Sequence, residues 1–169
     1  MKKTINTLRD ALAYQLKGLV DAETRVRDEF DGCVAQITSP EVKHQIQEYV
    51  DAAENKLQKL DRVFSYLMEE PVPWKNEVIA RMIAETHHLL TLVSSGPLKD
   101  VLMVNCIQNI NAFKMTSYKS AYLFAVELEL DPVADLIQQI VDWEHTTSRG
   151  LASLSIHEFN RLNKSSKTK

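Results

Sequence analysis

The stretch Ser39–Phe64, SPEVKHQIQEYVDAAENKLQKLDRVF, decides the fold. Ser39 is a good helix N-cap. Pro40 has its φ already set for a first helical position, and Glu41 places negative charge against the positive end of the helix dipole. The same proline disfavours helix in the residue before it, so one helix ends where the next begins. Beyond this start Val42, Ile46, Val50, Leu57, Leu60 and Phe64 recur at helical spacing, which is the pattern of a helix with one apolar face. No alternation of the kind a strand needs runs through the stretch.

The rest of the chain repeats this punctuation. Asp131-Pro132 reads as the same start device, and Pro71-Val72-Pro73 and Ser94-Ser95-Gly96-Pro97 break the chain twice more. All five prolines stand at these breaks. Five segments are predicted, at about 4–37, 41–69, 75–93, 98–129 and 133–160. The first carries Leu12, Leu16, Leu19, Val26 and Phe30 on one face, and the last carries Leu136, Ile137, Ile140, Val141, Leu151 and Leu154. The fourth is apolar on several faces, from Val101 through Ile107, Ile110, Phe113 and Tyr118 to Phe124, and is expected to be the most enclosed.

Four segments of about 30 residues, each about 45 Å long at 1.5 Å per residue, with a shorter one between the two pairs, describe an all-α, ferritin-like four-helix bundle. Its long crossover contains a short fifth helix. Residues 1–160 are expected to form this single domain, and residues 161–169, polar and basic, a disordered tail.

Composition excludes several classes of function. The chain has 169 residues, with 20 Lys and Arg against 23 Asp and Glu, and its net charge of −3 offers no footprint for nucleic acid or anionic lipid. No stretch approaches the length of uncharged apolar sequence that a membrane span requires. Arg9, Asp10 and Lys17 interrupt the place where a signal peptide needs an apolar run, so a cytoplasmic location is expected. Cys33 and Cys106 lack zinc-ligand spacing and read as small buried hydrophobes. Neither a Gly-x-Ser-x-Gly elbow nor a Gly-rich phosphate loop occurs.

In a bundle of this kind a metal centre needs carboxylates and imidazoles converging from the inner faces of the long helices. Glu23 lies four residues beyond Leu19 and three beyond Val20; Glu144 lies four beyond Ile140 and three beyond Val141. Both therefore point inward. The second helix offers Tyr49, Ala52, Ala53 and Lys56 at its inner positions, and the fourth segment Gln108, Asn111 and Lys114. None of these is a strong ligand, and an ammonium group repels a metal ion.

The sequence resembles the YciF/YciE-type family of bacterial, stress-associated, ferritin-like proteins, known as the domain of unknown function DUF892, up to about residue 158. The resemblance rests on TLRDALAYQLKGLVDAET (7–24), the helix-two stretch from Ser39, INAFKMTSYKSA (110–121) and LIQQIVDWEHTT (136–147). It implies that metal-binding members use a helix-one glutamate, a helix-two His-x-x-Glu, two glutamates on the third long helix and one on the last. Glu23 and Glu144 match. Tyr49 and Ala52 stand at the helix-two positions, and Asn111 and Lys114 at the paired glutamates.

Two adjoining carboxylates repel unless a cation lies between them. Lys114 can supply that charge, so a Glu23–Lys114–Glu144 cluster is expected, with Asn111 or Gln108 as hydrogen-bond partners. The expected function is non-catalytic, with no cofactor and a homodimer formed through the apolar crossover helix. The alternatives are a degenerate metalloprotein that keeps one iron or manganese ion at Glu23 and Glu144, and a bundle with an interior ligand pocket. The Glu41–His44 and Glu85–His88 steps share helix faces but fall outside the bundle centre, and are read as surface groups. Trp74 and Trp143 are read as core or interface anchors.

Overall fold

The computed structural model describes residues 4–167, and the regular structure among them is entirely helical. Helix α1 spans Leu8–Glu29, α2 Pro40–Leu67, α3 Glu77–Leu92, α4 Pro97–Glu127 and α5 Asp131–Ser166, with a short 3₁₀ helix, Asp31–Gln36, between the first two. The single segment expected over 4–37 is therefore two elements. The α-helix stops at Phe30, whose ring is buried, and the exposed Asp31-Gly32 pair that follows favours the tighter turn.

The helix starts show which sequence signals acted. Thr7 and Asp10 form a capping box: the Thr7 hydroxyl accepts from the Asp10 N–H, and the Asp10 carboxylate accepts from the Thr7 N–H, both at 3.0 Å. Ser39 caps α2 as read, accepting from the N–H of Val42 at 3.3 Å, and Asn76 does the same for α3 through Ile79. Asp131 does not cap α5. It already lies within the helix, because Glu129 takes a left-handed φ of 55° and the N–H of Leu130 closes back on the Ala125 carbonyl at 3.0 Å.

The tail also differs from expectation. Helix α5 continues through Ser166, so residues 161–166 are helical. Arg161 explains the extension, because its guanidinium donates to Glu158 at 2.7 Å and to Asp100 at 3.3 Å. Thr168 and Lys169 lie outside the described residues, as do residues 1–3.

Helix α1 packs on α2 and α4, and α5 packs on the same two, so the four long helices form a closed ring. Asp100, in the first turn of α4, accepts from the backbone N–H groups of Thr38 and Ser39 at 2.9 Å each. The starts of α2 and α4 are thus side by side, and the connection from Leu67 to Pro97 must run the length of the bundle. Helix α3 lies within this crossover and turns Ile79, Ile83 and Leu90 inward, while Val78 and Leu92 stay exposed. As expected, α4 is heavily enclosed, packing against α1, α3 and α5, although Leu123 on its outer side remains exposed.

The crossover begins with a strap laid across α1. The Trp74 ring stacks on Tyr14 with centroids 4.5 Å apart, and its indole N–H donates to the Tyr14 carbonyl at 2.7 Å. Gly18 lets the ring lie flat, since a Cβ there would stand 2.6 Å from the Trp74 Cζ2 atom. Trp74 and Trp143 are both half-buried, as is Cys106, whereas Cys33 is fully enclosed.

The core consists of two apolar halves. One gathers Val26, Phe30, Ile46, Met103 and Ile107, the other Leu12, Leu16, Leu60, Phe64 and Ile137. Between them lies a polar layer. Gly18→Ala is expected to displace Trp74 and cost about 1–3 kcal/mol, by analogy with overpacked cores. Urea unfolding and the tryptophan emission of the folded state would measure both effects.

Candidate functional site

Each of the four long helices contributes one charged side chain to the middle layer: Glu23 from α1, Lys56 from α2, Lys114 from α4 and Glu144 from α5. All four are 0% exposed. Each follows from helical spacing that keeps it on the apolar face, as with Lys56 seven residues after Tyr49 and four before Leu60. A charge at such a position cannot reach water and must be satisfied inside.

The four side chains satisfy one another. The Lys114 ammonium donates to Glu23 Oε2 at 2.8 Å and lies 3.2 Å from Glu144 Oε1; Lys56 donates to the same Glu144 oxygen at 2.7 Å. Tyr118 donates its hydroxyl to the other Glu23 oxygen at 2.9 Å. Tyr49 packs its ring beneath both cations, 4.6 Å from the Lys114 nitrogen and 5.6 Å from that of Lys56. Two positive and two negative groups leave the layer with no net charge.

Proton affinities follow from this arrangement. Burial works against a charged Lys114, but Glu144 and Glu23 on either side outweigh it and hold the amine well above its ordinary pKa. Burial dominates at Lys56, which is held below the usual amine value; Glu23 and Glu144 outweigh the repulsion from Lys114 but do not make good the loss of water. Burial would raise Glu144, yet Lys114 and Lys56 together keep it below the usual carboxylate range. Burial and the neighbouring Glu23 push the Tyr118 hydroxyl well up, so it stays a donor.

The structure thus brings together Glu23, Lys114 and Glu144, as the spacing predicts. Asn111 is close by, but its amide donates to the backbone carbonyl of Glu144 at 3.2 Å, not to a carboxylate, and Gln108 is half-buried outside the cluster. Lys56 was legible as an inner position, but as a poor metal ligand and not as a second counter-charge. Tyr118 was legible only as apolar. Its position four residues after Lys114 was the available signal for a hydroxyl facing the same layer.

The outlying motifs stay apart. Glu41, His44, Glu85 and His88 are exposed, while His87 stacks on Phe30 at 6.4 Å with its Nδ1 3.8 Å from the Cys33 sulfur. Burial pushes that thiol up to about 11, which makes it a poor ligand or nucleophile at neutral pH. Among the described residues no group of three His, Cys, Asp or Glu side chains is placed to hold a metal ion.

A di-iron centre needs several carboxylates and imidazoles with free lone pairs. Here the donors are two carboxylates, each in hydrogen-bond contact with an ammonium, while Tyr49, Ala52 and Asn111 stand where the resemblance implies further ligands. A divalent ion at this level would face Lys56 and Lys114. The residues present do not fit a metal pair.

The model of the domain of unknown function DUF892 matches residues 7–162. The chain belongs to the DUF892 family. Among solved structures, the DUF892 chain is similar to the stress protein YciF of E. coli, with a TM-score of 0.88 at 15% identity over 92% of this chain and 99% of that one. It is also similar to YcfI of Rhodopseudomonas palustris, with a TM-score of 0.86 at 18% identity over 90% and 97% of the two chains. A protein of Xanthomonas campestris pv. campestris gives a TM-score of 0.72 at 15% identity over 93% and 99%. Identities this low speak for the fold alone. No curated protein matches. No described helix is long and apolar enough to cross a membrane.

Removing one member of a buried ion cluster strands its partner. Lys114→Met, which leaves Glu23 without a cation in contact, is expected to cost about 3–5 kcal/mol in urea unfolding. Lys56→Met should cost less, because Lys114 still bridges both carboxylates. Replacing all four charges together, with Met for the lysines and Leu for the glutamates, should be neutral or stabilising by about 1–4 kcal/mol.

Acid should act through Glu144. Its folded pKa lies below the ordinary 4.5, so the unfolded chain binds the proton more readily. The stabilisation is fully present above pH 4.5 and is lost as pH falls through the folded value. The urea midpoint is expected to be flat from neutrality down to that pH and to drop below it.

Proposed function

We propose that this DUF892 chain is a non-catalytic, stress-associated bundle protein in which an internal ion-pair layer stands where other ferritin-like bundles hold two metal ions. One observation carries the reading: Glu23 and Glu144, the two carboxylates at the bundle centre, are both held by lysine ammonium groups at 2.7–3.2 Å. Lysines on α2 and α4 supply fixed positive charge, and so remove the electrostatic demand that a bound cation would otherwise meet. With Lys114 held above the ordinary amine pKa and Glu144 below the ordinary carboxylate value, neither group is tuned to exchange protons near neutrality. The association with stress rests on the likeness in fold to the E. coli stress protein.

Metal analysis tests the reading. Protein expressed in medium supplemented with iron and manganese is expected to carry far less than one ion per chain by mass spectrometry, and Glu23→Ala should not change that content. Stoichiometric iron or manganese that disappears in Glu23→Ala or Glu144→Ala would overturn the proposal in favour of a one-ion metalloprotein.

A further inference from the structure

Three buried polar atoms of the central layer have no hydrogen-bond partner among the described residues: the Tyr49 hydroxyl, Asn111 Oδ1 and Glu144 Oε2. Their residues are at most 1% exposed, so bulk water does not serve them. Buried polar groups left unpaired are rare, and each calls for a specific partner. The three residues are linked through Glu144 and Lys114. Lys114 lies 3.2 Å from Glu144 Oε1 and 4.6 Å from the centre of the Tyr49 ring, and Asn111 is tied to the Glu144 backbone.

The inventory of donors and acceptors selects the ligand. Glu144 Oε2 and Asn111 Oδ1 need donors, while the Tyr49 hydroxyl has a proton to give. Each lysine ammonium has three N–H groups, of which Lys56 uses one on Glu144 and Lys114 uses two on Glu23 and Glu144. A metal or alkali cation could accept none of these protons and would face two ammonium groups. A chloride or other anion would leave both oxygens unserved and meet the Glu144 charge. Only a molecule that donates twice and accepts twice matches the set, which is the valence of water.

We propose that an ordered water molecule is bound inside the charge layer, donating to Glu144 Oε2 and Asn111 Oδ1 and accepting from the Tyr49 hydroxyl and a lysine ammonium. The site occupies three of the positions, Tyr49, Asn111 and Glu144, where the family resemblance implies metal ligands. Tyr49, Ala52 and Trp143 line a cleft of about 420 Å³ between α2 and α5, and the short side chain of Ala52 keeps that groove open beside Tyr49.

This inference rests on the metal-free reading of the layer, and the test separates the two. A high-resolution crystal structure of the full chain, with anomalous data collected near the iron and manganese edges, is expected to show one peak at about 2.6–3.2 Å from the three oxygens. That peak should carry no anomalous signal, and it should vanish in Tyr49→Phe/Asn111→Leu. If the double variant fails to fold, Tyr49→Phe alone should move the peak away from the ring or remove it. No peak in the native protein, with the three atoms paired directly to protein groups, overturns the bound water and leaves the metal-free reading standing. A peak that survives the double variant unmoved also overturns it. An anomalous peak at the site overturns both.

Discussion

Charge neutrality inside an apolar bundle is the constraint on which the rest of the structure depends. Glu23 and Glu144 cannot be carried as carboxylates through the middle of a core without cations, and Lys114 and Lys56 supply them while Tyr118 adds a hydroxyl donor. The two lysines meet that demand from different helices, Lys56 from α2 and Lys114 from α4. Any sliding of one long helix against the others would separate a carboxylate from its ammonium. A layer of this kind is weak evidence for added stability, because desolvating four charges is expensive. Its clearer effect is to fix the register in which the two apolar halves of the core can form.

The far end of the bundle is held by a second polar cluster that shares this logic. Asp100 holds the chain entering α2, Ser39 donates to the buried Glu158 of α5 at 2.7 Å, and Arg161 spans Asp100 and Glu158. Three helices are tied together at one level, so the parallel placement of α2 and α4 is specified by hydrogen bonds as well as by the length of the crossover. The strap at Trp74 fixes the start of that crossover on α1, where only a glycine allows an indole to lie so close.

Much of this was legible in the chain. The Ser39-Pro40-Glu41 start, the two proline-rich breaks and the periodicity of the apolar residues place all five helices, α2, α3 and α4 to within about two residues at each end, while α1 stops well short of its expected end and α5 runs beyond it. The inward carboxylates and Lys114 follow from three- and four-residue spacing to known apolar neighbours. Lys56 was harder, because a lysine on an apolar stripe usually bends its long stem toward water, and spacing alone cannot show that the route is closed. Tyr118 was harder still, since a tyrosine on a buried face reads as bulk until a carboxylate is found beside its hydroxyl. The helical residues 161–166 look like a solvated tail in isolation, and the contact of Arg161 with Asp100, some sixty residues away in sequence, is visible only in the folded chain.

By itself, then, the sequence determined the helices, their order, the single long crossover and the weakness of any metal donor set. These depend on local backbone preferences and on which side chains can bind a metal, and both are properties of short stretches. Tertiary structure decided that two lysines, not one, balance the central glutamates, that Tyr49, Asn111 and Glu144 each keep an unpaired polar atom in the buried layer, and that the last helix reaches Ser166. Those outcomes depend on distances between helices, which are set only when the four apolar faces close together and cut the charges between them off from bulk solvent.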